Sequence, residues 1–264
     1  MVNLSVPRRS GGLPADVPAL LRALLDDGSG RPRLTWYGPD GERVEFSAKV
    51  LDNWVAKTAN LLVDELDAGP GTIVAIALPP HWRTVVWLLA TWSTGAAVRV
   101  VPAGQQPSAG ADVLVATDPT VLATALPGVL PVAVALPALA ASFGGGLPDD
   151  ALDYAREVRG FGDVFVPFVT PTPGDPAFEA PGHPPLTHAE LVPAAGRSAA
   201  EAGLPPRVRL LVGGGADDAV AQVLAPLVRL GSIVLHHDLA ALTAAPDALT
   251  RLTTQEGTTL IPSP

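Results

Sequence analysis

Residues Gly69 to Pro102 confine this chain to a narrow set of folds. Gly69-Pro70-Gly71 is a turn, Thr72 to Leu78 (TIVAIAL) is an uninterrupted apolar run, and Pro79-Pro80 breaks it. His81 to Ser93 then follows a helical pattern, Gly95 stops it, and Ala97 to Val101 is a second apolar run. Continuous Val/Ile/Leu runs fit strands buried on both faces, and two such strands joined by a crossover helix lie parallel. Trp82, Val85, Val86, Leu88, Leu89 and Trp92 give the connecting helix a wide apolar face. The stretch predicts a strand–helix–strand unit inside an α/β domain of stacked parallel sheets.

Composition excludes several function classes. At 264 residues and 48% hydrophobic, the chain can bury a sizeable core as one domain or two lobes. A net charge of −9 with only two lysines, Lys49 and Lys57, argues against a nucleic-acid surface, which needs clustered cations. Both lysines read as solvated charges on a helix surface. No cysteine is present, which excludes disulfides and thiolate chemistry and fits a reducing, cytoplasmic setting. Arg8-Arg9 resembles the start of an export signal, but Asp16, Arg22, Asp26 and Asp27 follow where an apolar core is needed. Val121 to Phe143 is charge-free and long enough to span a bilayer, yet Pro127, Pro131 and Pro137 interrupt it. It reads as short buried strands separated by turns, and no membrane contact is expected.

Upstream, Val17 to Asp26 reads as an amphipathic helix ended at Gly28-Ser29-Gly30. Leu34 to Tyr37 and Arg43 to Phe46 flank Gly38-Pro39-Asp40-Gly41 as a hairpin. Ser47 caps a helix reaching Leu66, with Val50, Leu51, Trp54, Val55, Thr58, Leu61 and Leu62 on one face.

The run from Arg43 to Pro102 resembles the opening of the AMP-dependent synthetase/ligase superfamily, the adenylate-forming enzymes that include acyl-CoA synthetases. The shared order is a short strand, a helix ending near a Gly-x-Gly turn, a Val/Ile-rich strand followed by Leu-Pro, a helix, Gly-Ala and a Val-Pro strand end. The likeness continues more thinly at Thr187-His188, at Val208 to Val212, at Gly231 to Leu235 and at Thr258 to Pro262. Within the superfamily it is closest to a small actinobacterial group of shortened relatives.

Such enzymes activate a carboxylate with ATP to an acyl-adenylate and pass the acyl group to a thiol such as coenzyme A. The resemblance implies a Ser/Thr/Gly-rich loop with a lysine, just before a Thr-His pair, that cradles phosphates. The matching region holds Val169 to Pro176 and then Glu179, Ala180, Pro181, Gly182 and His183 before Leu186-Thr187-His188. Thr170, Thr172 and Gly174 are the residues left to hold ATP or AMP there. Pro171, Pro173 and Pro176 offer no N–H, Asp175 and Glu179 repel a triphosphate, and no lysine follows Lys57. The region reads as a decayed phosphate site. The family's ribose-binding acid, adenine-positioning motif and catalytic lysine are expected beyond Pro264, which leaves charge developing on an α-phosphate without a protein cation.

Other constellations point to structure. Gly213-Gly214-Gly215 imitates a dinucleotide turn, but Asp217 and Asp218 occupy the phosphate position and read as helix-capping acids. His236-His237-Asp238 lies at a strand end where neighbours face opposite ways, so no metal site is expected. Thr187-His188 reads as a helix start ahead of any ligand role for His183 or His188. Tyr154, Arg156, Glu157 and Arg159 read as one solvated patch. Trp36, Trp54, Trp82, Trp87 and Trp92 read as core. No Gly-x-Ser-x-Gly elbow is present.

The expectation is one truncated domain over 1–264 with two lobes, residues 72–200 and residues 1–68 with 205–264. The expected function is a catalytically silent relative of AMP-dependent acyl-CoA synthetases that binds a protein partner or a small acyl or nucleotide ligand between the lobes. A ligase component, altered or split across two chains, and a structural or assembly subunit stay open as alternatives.

Overall fold

The computed structural model describes residues 12–102, 105, 110–137 and 140–260. Arg8-Arg9 lies outside them. Helix α1 (Val17–Gly28) starts at Asp16, whose carboxylate accepts the Ala19 N–H at 2.7 Å, and buries Leu20, Leu21 and Leu24. Strands β1 (Pro32–Tyr37) and β2 (Arg43–Ser47) form an antiparallel hairpin, reversed by Pro39–Gly41 with Gly41 at φ 77°. Ser47 then caps α2 (Ala48–Leu66), its hydroxyl accepting the Val50 N–H at 3.3 Å.

The Gly69–Pro102 unit is present as read. Strand β3 (Ile73–Ala77), helix α3 (Trp82–Thr94) and strand β4 (Ala97–Val100) follow in order, and β3 pairs with β4 in parallel. His81 caps α3 through Nδ1, which accepts the Arg83 N–H at 3.0 Å, and Gly95 ends it at φ 87°. One difference is instructive. All residues of α3 are buried, including Arg83, Thr84, Thr91, Ser93 and Thr94, so the helix has no solvent face. Its short polar side chains bond inward: Thr84 Oγ1 to Pro79 O at 2.6 Å and Ser93 Oγ to Leu89 O at 2.7 Å.

Four short elements come next: β5 (Val113–Ala116), α4 (Pro119–Leu122), β6 (Leu130–Ala133) and β7 (Leu152–Asp153). After them come α5 (Tyr154–Glu157), β8 (Pro176–Glu179), β9 (Leu186–Thr187) and α6 (His188–Glu201). The last part holds β10 (Arg209–Val212), α7 (Ala225–Val228), β11 (Ser232–His236), α8 (Leu239–Thr243), α9 (Pro246–Glu256) and β12 (Thr259–Leu260). One sheet runs β7-β6-β5-β3-β4-β8-β9 and the other β12-β10-β11-β1-β2. Every pairing is parallel except the β1–β2 and β8–β9 hairpins. A single apolar core joins the sheets, running from Leu20 and Trp36 through Leu61, Trp82 and Val86 to Leu210 and Leu227. The protein is therefore an α/β fold of parallel sheets. Among the described residues no helix is long and apolar enough to cross a membrane.

Three expectations need correction. Tyr154 does not belong to a solvated patch: it is fully buried, its ring lies 5.1 Å from Trp87, and its hydroxyl bonds Thr58 Oγ1 at 2.7 Å. The cause is local. Asp153 caps α5 and turns Tyr154 inward, while Arg156 and Glu157 stay exposed. His236 and His237 do not face opposite ways. Strand β11 ends at His236, the chain turns as His237 N bonds Tyr37 O at 2.9 Å, and the two rings stack 4.9 Å apart. No cluster of three metal-binding side chains forms among the described residues. Finally, Asp217 and Asp218 sit in a first helical turn without capping it through a side-chain hydrogen bond. Asp218 instead accepts from Gln222 Nε2 at 2.8 Å, while Gln222 Oε1 takes the Gly214 N–H at 2.6 Å.

Candidate functional site

The structure splits the proline-rich region into two places at opposite edges of the seven-stranded sheet. Because β8 runs parallel to β4, with Val98 opposite Phe178, residues just before β8 lie at the amino-terminal edge and residues just after it at the carboxyl edge. Thr170, Thr172 and Gly174 fall in the first group. All three are exposed, and Pro171 packs toward Gly95 at the amino end of β4. In sheets of this kind ligands sit at the carboxyl ends of the strands.

The local chemistry there is self-contained. Asp175 Oδ2 accepts the Thr172 N–H and Asp175 Oδ1 accepts the Thr172 hydroxyl, each at 2.7 Å. These bonds hold the Asp175 carboxyl below the usual carboxylate range. The Asp175 N–H returns to Thr172 O at 3.1 Å and the Asp175 carbonyl accepts the His188 N–H at 3.0 Å. The turn is locked against the start of α6 by its own donors and acceptors. Beside it a groove of about 370 Å³ runs along α1, lined in part by Asp16, Arg22, Trp92, Thr170 and His188. His188 Nε2 bonds Gly95 O at 2.9 Å. Burial lowers the His188 pKa, partly offset by that carbonyl.

The stretch directly ahead of Thr187-His188 is the β8–β9 turn, Ala180 to Pro185, at the carboxyl edge. Pro181, Pro184 and Pro185 have no N–H to offer, and the His183 N–H is bonded to Ala180 O at 3.2 Å. Glu179 is paired with Arg99 at 2.6 Å, and Asp218 stands 3.5 Å from His183 Nε2. Thr187 does open α6, in a reciprocal capping box with Glu190. Thus Thr187-His188 is a helix start, and the turn before it is poor in donors and bordered by the Arg99–Glu179 pair and by Asp218.

The glycine run is explained by packing. A Cβ on Gly213 would lie 2.1 Å from the Leu239 Cβ, and one on Gly214 would lie 2.4 Å from Gln222 Oε1. Neither glycine has a positive φ. Two features escaped sequence reasoning: the closure of Asp175 on Thr172, and a crevice between the sheets bounded by Glu42, Pro79, Pro80 and His81. Only the Pro-Pro pair at the end of a buried strand hinted at the crevice.

Two mainly parallel sheets sharing one core, with a β-hairpin turn ahead of a Thr-His helix start, define a layered α/β protein. The model of the AMP-binding enzyme family matches residues 23–159, just over half of the chain, and the chain belongs to that family. A Mycobacterium tuberculosis protein, whose name is a family label that states no activity, is 41% identical over 160 residues. That alignment covers 59% of this chain and 64% of the relative. The crystal structure of a Brucella canis acyl-CoA synthetase matches with a TM-score of 0.71 at 20% identity, covering 91% of this chain and 46% of that one. The chain thus spans about half the length of that synthetase, and the likeness to it is one of fold. The family match ends at Arg159, before both proline-rich stretches.

Proposed function

We propose that this chain is a catalytically silent member of the AMP-binding family that holds a small ligand in the cleft between its two sheets and does not activate carboxylates with ATP. The observation that carries the reading is the state of the phosphate-cradle donors. In the turn before Thr187-His188 three positions are prolines and a fourth N–H is taken, and at Thr172 both donors are taken by Asp175. A triphosphate needs converging N–H groups or cations; here the bordering cation, Arg99, is engaged by Glu179 at 2.6 Å, and Asp218 adds a further carboxylate. The same reading takes the two sheets as two lobes, residues 72–200 and residues 1–68 with 205–264.

The test is carboxylate-dependent exchange of pyrophosphate into ATP by the purified chain over a panel of short, long and aromatic acids. No exchange above a protein-free control is expected. Exchange with any acid overturns the reading.

A second reading is favoured by one observation. Val164, Val166, Phe168 and Val169 are 71, 71, 87 and 60% exposed along one extended segment, an apolar stretch that a partner surface would cover. On this reading a second polypeptide covers the segment, as in a split ligase or an assembly subunit. Sedimentation at micromolar concentration decides it: a monomer alone and in cell extract speaks against it.

A further inference from the structure

The carboxyl ends of β1, β3, β6 and β11, drawn from both sheets, converge on a pocket of about 350 Å³. Such a position is where open parallel sheets bind ligands, and the volume suits a small molecule. Its walls are mostly apolar and stiff: Pro39, Pro79, Pro80, Leu136 and Pro137, with Trp36 at the base. Trp36 is fixed from several sides. Its Nε1–H donates to Pro80 O at 3.2 Å, its ring lies 4.2 Å from the His81 ring, and it fills the space where a Cβ on Gly38 would stand. The pocket is therefore preformed, which limits the ordering cost of binding.

Its charge is specific. His81 is neutral, since burial and then Arg83 push its pKa down to about 3. The Arg83 guanidinium is buried and donates to the carbonyls of Leu136 and Pro137 at 2.7 and 3.2 Å. Glu42 supplies the pocket's carboxylate. Its half-buried side chain makes no hydrogen bond or ion pair among the described residues; the buried Arg83 charge is within electrostatic reach of it but is bonded to the two carbonyls, and His237 also lines the pocket. A carboxylate with no bonded partner on a rigid apolar wall attracts a cation with an apolar body.

We propose that this pocket binds a small primary amine with an aromatic or alicyclic body, the body against the proline wall and Leu136 and the ammonium on Glu42. The proposal rests on the ligand-binding reading above and names its site. It adds an amine where the family resemblance implies a carboxylic acid.

The test is an NMR titration of the whole chain with 2-phenylethylamine, its neutral isostere 2-phenylethanol, and phenylacetate, following the Trp36 indole N–H. The amine is expected to shift that resonance saturably and to bind about tenfold more tightly than the alcohol, the size of one charge-assisted contact. Phenylacetate should bind more weakly than either. In Glu42→Gln the amine is expected to fall to the level of the alcohol, with the alcohol unchanged. Equal binding of amine and alcohol, preference for phenylacetate, no shift at Trp36, or an amine preference that survives Glu42→Gln each overturns the proposal. The pyrophosphate-exchange result is independent of all four, so a failed pocket and a failed silent-enzyme reading are told apart.

Discussion

Asp175 closes on Thr172 with both carboxylate oxygens, one taking the backbone N–H and the other the hydroxyl, each at 2.7 Å. Thr172 is a residue that sequence alone leaves available to a phosphate, and its donors are spent within the chain. The first expected consequence is kinetic. The Thr172 amide should exchange with solvent more slowly than the other exposed amides of residues 168–174, and Asp175→Ala should remove that protection. Unchanged exchange in the variant would show that the bond is not maintained in solution.

A second prediction concerns the tie between the two ends of the chain. Asp27 accepts from buried Arg33 at 2.8 Å and also from Arg207, so α1 is fastened to β1 and to the segment leading into β10. Burial pushes its pKa up, but hydrogen bonds from Arg207 and Arg33 outweigh this and leave it below the usual carboxylate range. Asp27→Asn leaves Arg33 without its counter-ion and should cost about 2–3 kcal/mol in urea unfolding. A loss under about 0.5 kcal/mol would mean that the carbonyls of Leu24, Leu230 and Gly231, which Arg33 also contacts, suffice.

The pH dependence follows from His81. Its folded pKa is about 3 against an ordinary 6.5. Above 6.5 both folded and unfolded states are neutral and the contribution is fully present. As pH falls below 6.5 only the unfolded state takes up the proton, so stability is lost progressively until the folded pKa is reached, by at most about 1.4 kcal/mol per pH unit. The ring carbon resonances of His81 should stay flat from pH 7.5 to 4.5. A titration midpoint near 6 would contradict the burial of this ring.

Two glycines separate packing from phosphate binding. A Cβ on Gly231 would meet two backbone oxygens, Val208 O at 2.4 Å and Pro226 O at 2.7 Å, whereas one on Gly214 meets the end of the Gln222 side chain. Gly231→Ala should cost about 2 kcal/mol or more, because backbone cannot swing away. Gly214→Ala should cost less, since Gln222 can turn aside with the loss of one hydrogen bond. Thermal melts of the two variants side by side check the order.

The elements legible in the sequence are those punctuated by their own residues. Ser47 and Thr187 begin helices, Gly95 ends one, Gly38 to Gly41 reverses a hairpin, and the apolar runs at Ile73–Ala77 and Ala97–Val100 form adjacent parallel strands. What was illegible depends on partners distant in sequence. The burial of Thr84, Thr91 and Ser93 follows from the core that α3 shares with both sheets, which no single periodicity records. Strand β8 was hidden by its opening Pro176, tolerated at the first position of a strand. Once that strand is placed, Thr170–Gly174 and Ala180–Pro185 lie at opposite edges of one sheet, with His188 bonded to Asp175 and Gly95 at the first.

The most direct test of the account is a thermal melt of the whole chain with increasing magnesium-ATP up to several millimolar. The account predicts a melting temperature independent of ATP. A saturable rise contradicts it, since a ligand at a hundred times its Kd stabilises by about 2.7 kcal/mol.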